Sequence, residues 1–189
     1  MAFVTTVPQV LRRKTTIIHG GRRANNFTVQ RDRRVRTIPV RMAAPKRSTV
    51  ADTPKKQFLD RLKALGNLRL IGRNDAVIME SIATFDGLFF AEVPTGEYAN
   101  LIDGSINLDM HLLLEGFSGA KFETGISRDA TKSTTYVLRL LGKDRTSVIL
   151  SLFLQWDKAP TDVSEERINA WKALKADYAG ESEQFFFEE

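Results

Sequence analysis

Cysteine is absent from the 189 residues, and histidine is scarce, with two copies. The first absence excludes a disulfide scaffold, thiolate zinc, cysteinyl iron–sulfur ligation and a cysteine nucleophile. His19 lies in the opening segment, so His111 is the single imidazole of the remaining chain, and a metal site with two histidine ligands is excluded there. No apolar run reaches the roughly 18 residues that a membrane-spanning helix needs. No period of about 20–50 residues recurs, which argues against a repeat architecture. The G-x-S-x-G, G-x-G-x-x-G and phosphate-loop patterns are missing too. No acid/base set for catalysis stands out, and the reading leans against an enzyme.

Acidic residues are missing from one part only. Residues 1–50 hold 12 Lys+Arg and a single acid, Asp32, whereas residues 51–189 hold 16 Lys+Arg and 22 Asp+Glu. The overall charge of +5 is therefore the sum of a segment at +11 and a segment at −6. The basic segment has scattered apolar residues without a sustained period and reads as disordered, because it cannot bury enough surface to offset chain entropy. Three roles compete for it. It is Arg-rich, hydroxylated and acid-poor, as organellar transit peptides are. A nucleic-acid arm would also be basic, but the domain that it would serve is acidic, so no nucleic-acid partner is expected. A plain solvated tail is the third. Val40-Arg41-Met42-Ala43-Ala44 looks like a stromal processing site, and Phe3 resembles the start of plastid leaders. The expected organisation is a transit peptide over 1–43, a linker over 44–52, a folded domain over 53–180 and an acidic, Phe-bearing tail over 181–189. The expected location is the plastid stroma, with the mitochondrion as the alternative.

The folded part reads as helix, strands, helix. Thr53 and Pro54 suit the start of a helix spanning 51–67, with Phe58, Leu59, Leu62 and Leu65 as its apolar stripe and Gly66-Asn67 as its stop. About seven turn-linked strands follow, and short turns demand antiparallel pairing. A last helix is expected over about 162–178, with an Asp162/Glu165 capping box and Gly180 as its stop. The fold class is α+β: a large antiparallel sheet flanked by an N-terminal and a C-terminal helix. Phe89 and Phe90 point to opposite faces, so one belongs to the core and the other to a pocket or interface. Phe185-Phe186-Phe187 is either a last piece of core or an exposed docking tag.

Alternation in the strand expected over 105–115 puts Ile106, Leu108, Met110, Leu112 and Leu114 on the core face. Asp109 and His111 fall on the other. A histidine on an open sheet face can ligate haem iron axially, and Asp109 can orient its ring. An ordinary surface histidine is the plainer reading.

From Leu65 to Tyr178 the chain resembles the haem-utilisation family that includes HutX, ChuX and HemS. Leu65-Gly66-Asn67 is similar to the family's W-G-N helix end, Asp75-Ala76-Val77-Ile78-Met79-Glu80 to its A-D-V-I-L-E strand, and Val93-Pro94-Thr95-Gly96 to its L-P-S-G turn. Tyr98-Ala99-Asn100-Leu101 resembles Y-F-N-L, and His111-Leu112 with Glu115 falls on G-H-I-K-A-E. Leu152-Phe153-Leu154 with Asp157 matches part of K-x-F-L-G-R-D, in which Ser151, Gln155 and Trp156 are departures. The resemblance implies the family's fold, haem as cofactor with His111 as axial ligand, and a homodimer. Where members carry a first haem-linked histidine this chain has Arg73, for which the resemblance implies pairing with a propionate. Two functions follow: a plastid haem or tetrapyrrole carrier, or a non-haem assembly or docking subunit of plastid photosynthetic complexes, with Phe185–Phe187 as its tag. Haem degradation enters by family resemblance only.

Overall fold

The structure, a computed structural model, describes residues 46–128, 130–157 and 162–188. The leader expected over 1–43 lies outside the described residues. Residues 47–48, expected as linker, form a short strand β1 (Arg47–Ser48). Helix α1 (Pro54–Arg61) starts as the sequence suggests: Thr53 Oγ1 accepts from the Lys56 N–H and Pro54 occupies the first turn. It tightens into a 3₁₀ turn over Leu62–Leu65 that Gly66 ends.

The strands are β2 (Leu68–Arg73), β3 (Ile78–Ala83), β4 (Phe89–Val93), β5 (Gly96–Asp103), β6 (Leu108–Leu113), β7 (Phe117–Ile126), β8 (Thr134–Gly142) and β9 (Val148–Leu154). Helix α2 (Glu165–Ala179) and strand β10 (Gln184–Phe186) complete the chain. Every ladder is antiparallel, as the short turns required. The single large sheet expected from the sequence is instead two sheets, four strands in the order β1-β4-β5-β6 and six in the order β10-β7-β8-β9-β2-β3. The split cannot be read from turn lengths. The β3–β4 connection carries two buried anchors, Phe85 and Leu88, and leads from one sheet to the other.

One core joins the layers, with Phe90, Ala99 and Leu101 from the small sheet, Leu70, Phe122, Leu138, Leu140 and Leu152 from the large one, and Phe58, Leu59, Trp171 and Leu174 from the helices. The two helices lie together: Phe58 meets Tyr178 edge-on at 4.9 Å and Arg61 pairs with Asp177 at 2.7 Å. Trp171 packs on Phe122 and Tyr136 of the large sheet, at 5.4 Å from each ring. The expected Asp162/Glu165 capping box is not made. Ser164 is the cap residue and makes no side-chain hydrogen bond; its N–H donates to Asp157 Oδ2 at 3.0 Å.

Buried Lys56 ties α1 to β5 through Asp52 at 2.8 Å and Glu97 at 2.6 Å. Burial alone would lower its pKa; the two carboxylates outweigh that and hold it above the ordinary lysine value.

The Phe-bearing tail is core, which corrects the docking-tag reading for two of its three rings. β10 pairs with β7, and alternation turns Phe185 and Phe187 inward against Phe58 at 5.1 and 5.9 Å. Phe186 faces the other way, half-buried beneath the Arg145 guanidinium at 5.2 Å.

Candidate functional site

The open face of the four-stranded sheet carries the site around His111. Leu108, Met110 and Leu112 pack against the core, and this alternation sends Asp109 and His111 outward, as the sequence pattern required. Ile106 does not continue the stripe: Asn107 turns the chain at φ 54° and leaves Ile106 exposed. Phe90 is the core member of its pair, at 1% exposure, and Phe89 faces the other way.

Register brings Asn100 of β5 opposite His111 of β6, and Phe89 of β4 opposite Asn100. The buried Asn100 amide nitrogen donates to the Tyr98 carbonyl at 3.0 Å and, at longer range, to the Phe89 carbonyl at 3.5 Å. Its oxygen is thereby aimed at His111 Nδ1, 2.6 Å away. An amide oxygen only accepts, so this contact is a hydrogen bond when Nδ1 carries the proton. Nε2 lies 3.0 Å from Asp109 Oδ1, a contact that becomes an ion pair when the ring is doubly protonated. Asp109, expected to orient the ring, is thus joined by Asn100, one at each ring nitrogen. The His111 side chain is 51% exposed, so a ligand reaches it without rearrangement of the core.

Phe89, Val93, Tyr98 and Ile102 form apolar and aromatic walls around His111 in an open groove of about 400 Å³, with Arg47 at the rim. The Arg47 guanidinium lies 4.6 Å from the Phe89 ring centroid, and its strand β1 is held by pairing with β4. Sequence reasoning missed Arg47, Tyr98 and Asn100. The one signal for Asn100 was its place in Tyr98-Ala99-Asn100-Leu101; its contact with His111 depends on a strand register that the sequence does not state.

Arg73 is elsewhere. It ends β2 in the six-stranded sheet, opposite Ile78, and lines a separate concavity. The structure thus places His111 and Asp109 together and does not bring Arg73 to them. Among the described residues no group of three or more His, Asp or Glu is arranged to hold a metal ion, and no helix is long and apolar enough to cross a membrane.

No protein-family model matches the sequence, and no curated protein is similar enough to match. Solved structures do. The haem-binding protein ChuX aligns with a TM-score of 0.50 at 21% identity, over 64% of this chain and 70% of that one. The fold is ChuX-like. A second ChuX crystal structure aligns with a TM-score of 0.43 at 17% identity, covering 71% of this chain and 76% of that one. A protein from Erwinia carotovora aligns at 0.46 and 21% identity, covering 64% and 69%.

Within the ChuX-like fold, several motifs prove to be architectural. Gly66 sits at φ 63°, and a Cβ there would lie 2.8 Å from Arg167 Nε. The carbonyls on either side, Leu65 and Asn67, both accept from Arg167, the first at 2.7 Å. Asp157 receives the same guanidinium at 2.6 Å. The L-G-N turn and the distant aspartate are thus two parts of one clasp on α2.

Proposed function

We infer that the protein is a haem- or tetrapyrrole-binding carrier in which His111 Nε2 is the axial ligand. The observation that carries this reading is the Asn100–His111 pair. A buried amide, itself committed to backbone carbonyls, holds the ring plane of the domain's one imidazole in an aromatic-walled groove. The donor set fits the group. Phe89, Tyr98, Val93 and Ile102 accept a flat apolar face, His111 offers a neutral nitrogen, and Arg47 supplies a cation for a carboxylate. Bound haem would supply redox-active iron; the chain's own residues bind and orient, and the groove presents no acid/base pair beyond His111 and Asp109.

A groove of about 400 Å³ is small for enclosing a macrocycle and suits one face of it. A second copy of the chain would cover the other face; separately, Val77 and the β3 residues Ile78 and Met79 are exposed at the edge of the six-stranded sheet, where a second copy could pair. The composition of residues 1–43 supports import into the plastid stroma followed by removal of that segment. The docking-subunit alternative loses one of its motives with Phe185 and Phe187 in the core, and keeps the departures from the family pattern at Arg73, Ser151, Gln155 and Trp156.

Haem titration of the full chain, followed by Soret absorbance, tests this. The wild type is expected to give a red-shifted saturable band that His111→Ala abolishes. Asn100→Ala is expected to weaken binding about 10- to 100-fold, the usual cost of losing the partner that orients a metal-bound histidine. Asp109→Ala is expected to bind at least as tightly as wild type, because the carboxylate competing for Nε2 is gone. An unchanged band in His111→Ala refutes the assignment.

A further inference from the structure

The six-stranded sheet has a second face, turned away from the helices, and its centre is polar. Register aligns Lys121 of β7 with Arg139 of β8, Arg139 with Ser151 of β9, and Ser151 with Ile71 of β2, two residues before Arg73. Lys121, Arg139, Ser151 and Arg73, together with Arg145 from the β8–β9 turn, line a concavity of about 960 Å³. Its walls hold four cations, Arg73, Lys121, Arg139 and Arg145, and two acids, Asp75 and Glu123.

Two of the cations are fixed in place. Arg139 donates from Nε to Glu123 Oε2 at 2.6 Å and from Nη1 to the buried Ser151 hydroxyl at 2.9 Å. Its Nη2 donors are uncommitted among the described residues. Glu123 is already shared with Lys121 at 3.0 Å, so it does not neutralise the face. Arg145 stands at φ 62° in its turn and lies over the Phe186 ring. Asp144 clamps that turn by accepting from the Ser147 hydroxyl, the Ser147 N–H at 2.8 Å and the Thr146 N–H at 3.0 Å, which together push its carboxyl down to about 2. Neither Arg73 nor Arg145 has a carboxylate partner among the described residues. The four cations meet three acids, Asp75, Glu123 and, 3.8 Å from Lys121, Glu183; the unmatched positive charge costs self-repulsion, which a bound anion removes.

Spacing sets the kind of anion. From β7 to β2 is three strand separations, about 14 Å. Across that breadth, in a concavity of about 960 Å³, a molecule with anionic groups at separate points can meet several of these cations at once.

We propose that this face is a second binding site, for an extended small molecule bearing two or more carboxylate or phosphate groups, with Arg139 as its central contact. It shares no lining residue with the His111 groove, so each site stands or falls alone.

Titration calorimetry of the full chain with inorganic tetraphosphate and with dodecanedioate, paired with amide NMR, tests the proposal. The basic first fifty residues attract anions as well, so the readout is residue-specific. Expected are shifts at Lys121, Arg139, Arg145 and Ser151, and an affinity about tenfold lower in Arg139→Gln, one charge-assisted contact's worth. Arg145→Gln removes an exposed turn cation and is expected to weaken binding about threefold, with the amide spectrum of the free variant reporting that its fold is retained. The tighter probe identifies the headgroup as phosphate or carboxylate. Shifts confined to residues 1–50, or equal affinity in wild type and both variants, overturn the proposal.

Discussion

Arg167→Ala is expected to be the most destabilising substitution of a single polar side chain in the domain. Arg167 is 8% exposed and four of its five N–H donors are engaged: Nε donates to the Leu65 carbonyl at 2.7 Å, Nη1 to the Gln155 carbonyl at 2.8 Å and to Asp157 at 2.6 Å, and Nη2 to the Asn67 carbonyl. Truncation leaves three carbonyls and a carboxylate without this donor, and such losses cost about 3–5 kcal/mol for a buried charged group. In a domain of this size that corresponds to a fall in thermal midpoint of roughly 10 °C or more. Arg167→Lys is expected to recover less than half of the loss, because one ammonium cannot replace a planar fork that serves four acceptors on two segments. Thermal unfolding followed by circular dichroism measures both. A midpoint for Arg167→Ala within a few degrees of wild type would show that the clasp is incidental.

That clasp marks the boundary of what was legible in the sequence. Thr53, Pro54 and Gly66 specify the first helix through interactions within a few residues, so its start and end were readable. The two-residue alternation of Leu108, Met110 and Leu112 placed His111 on the open face, and the pair Phe89 and Phe90 was correctly divided between groove and core. These are local signals. The Arg167–Leu65 hydrogen bond spans 102 residues, and the Asn100–His111 contact exists only because β5 and β6 pair in one register. Shifting that register by one residue would turn Asn100 to the opposite face from His111. Arg73 shows the same limit from the other side. It and His111 both point out of a sheet, but the division into two sheets, set by where Phe85 and Leu88 are buried, puts them in different concavities.

Gly119→Ala is expected to expel the last strand. A Cβ at position 119 would fall far inside contact distance of the Phe185 carbonyl oxygen and 2.9 Å from Phe186 Cα, both backbone atoms of β10 that cannot rotate aside. β10 contributes Phe187, 8% exposed, and half-buried Phe185 to an aromatic cluster with Phe58, Phe117 and Tyr178. Burial of a phenylalanine side chain stabilises by roughly 1.5–3 kcal/mol, so loss of the strand is expected to cost about 3–5 kcal/mol in urea unfolding. It also uncovers Phe58 and Phe117, and binding of a hydrophobic dye should rise. The cause can be separated from a simple clash within β7 by deleting residues 184–189. If glycine matters because β10 must lie against it, the deletion alone reproduces most of the loss, and Gly119→Ala adds almost nothing to the deleted chain. Additive losses would place the damage inside β7. An unchanged urea midpoint in Gly119→Ala would mean that β10 does not pair with β7 in solution, and the tail would then regain its claim as a docking element.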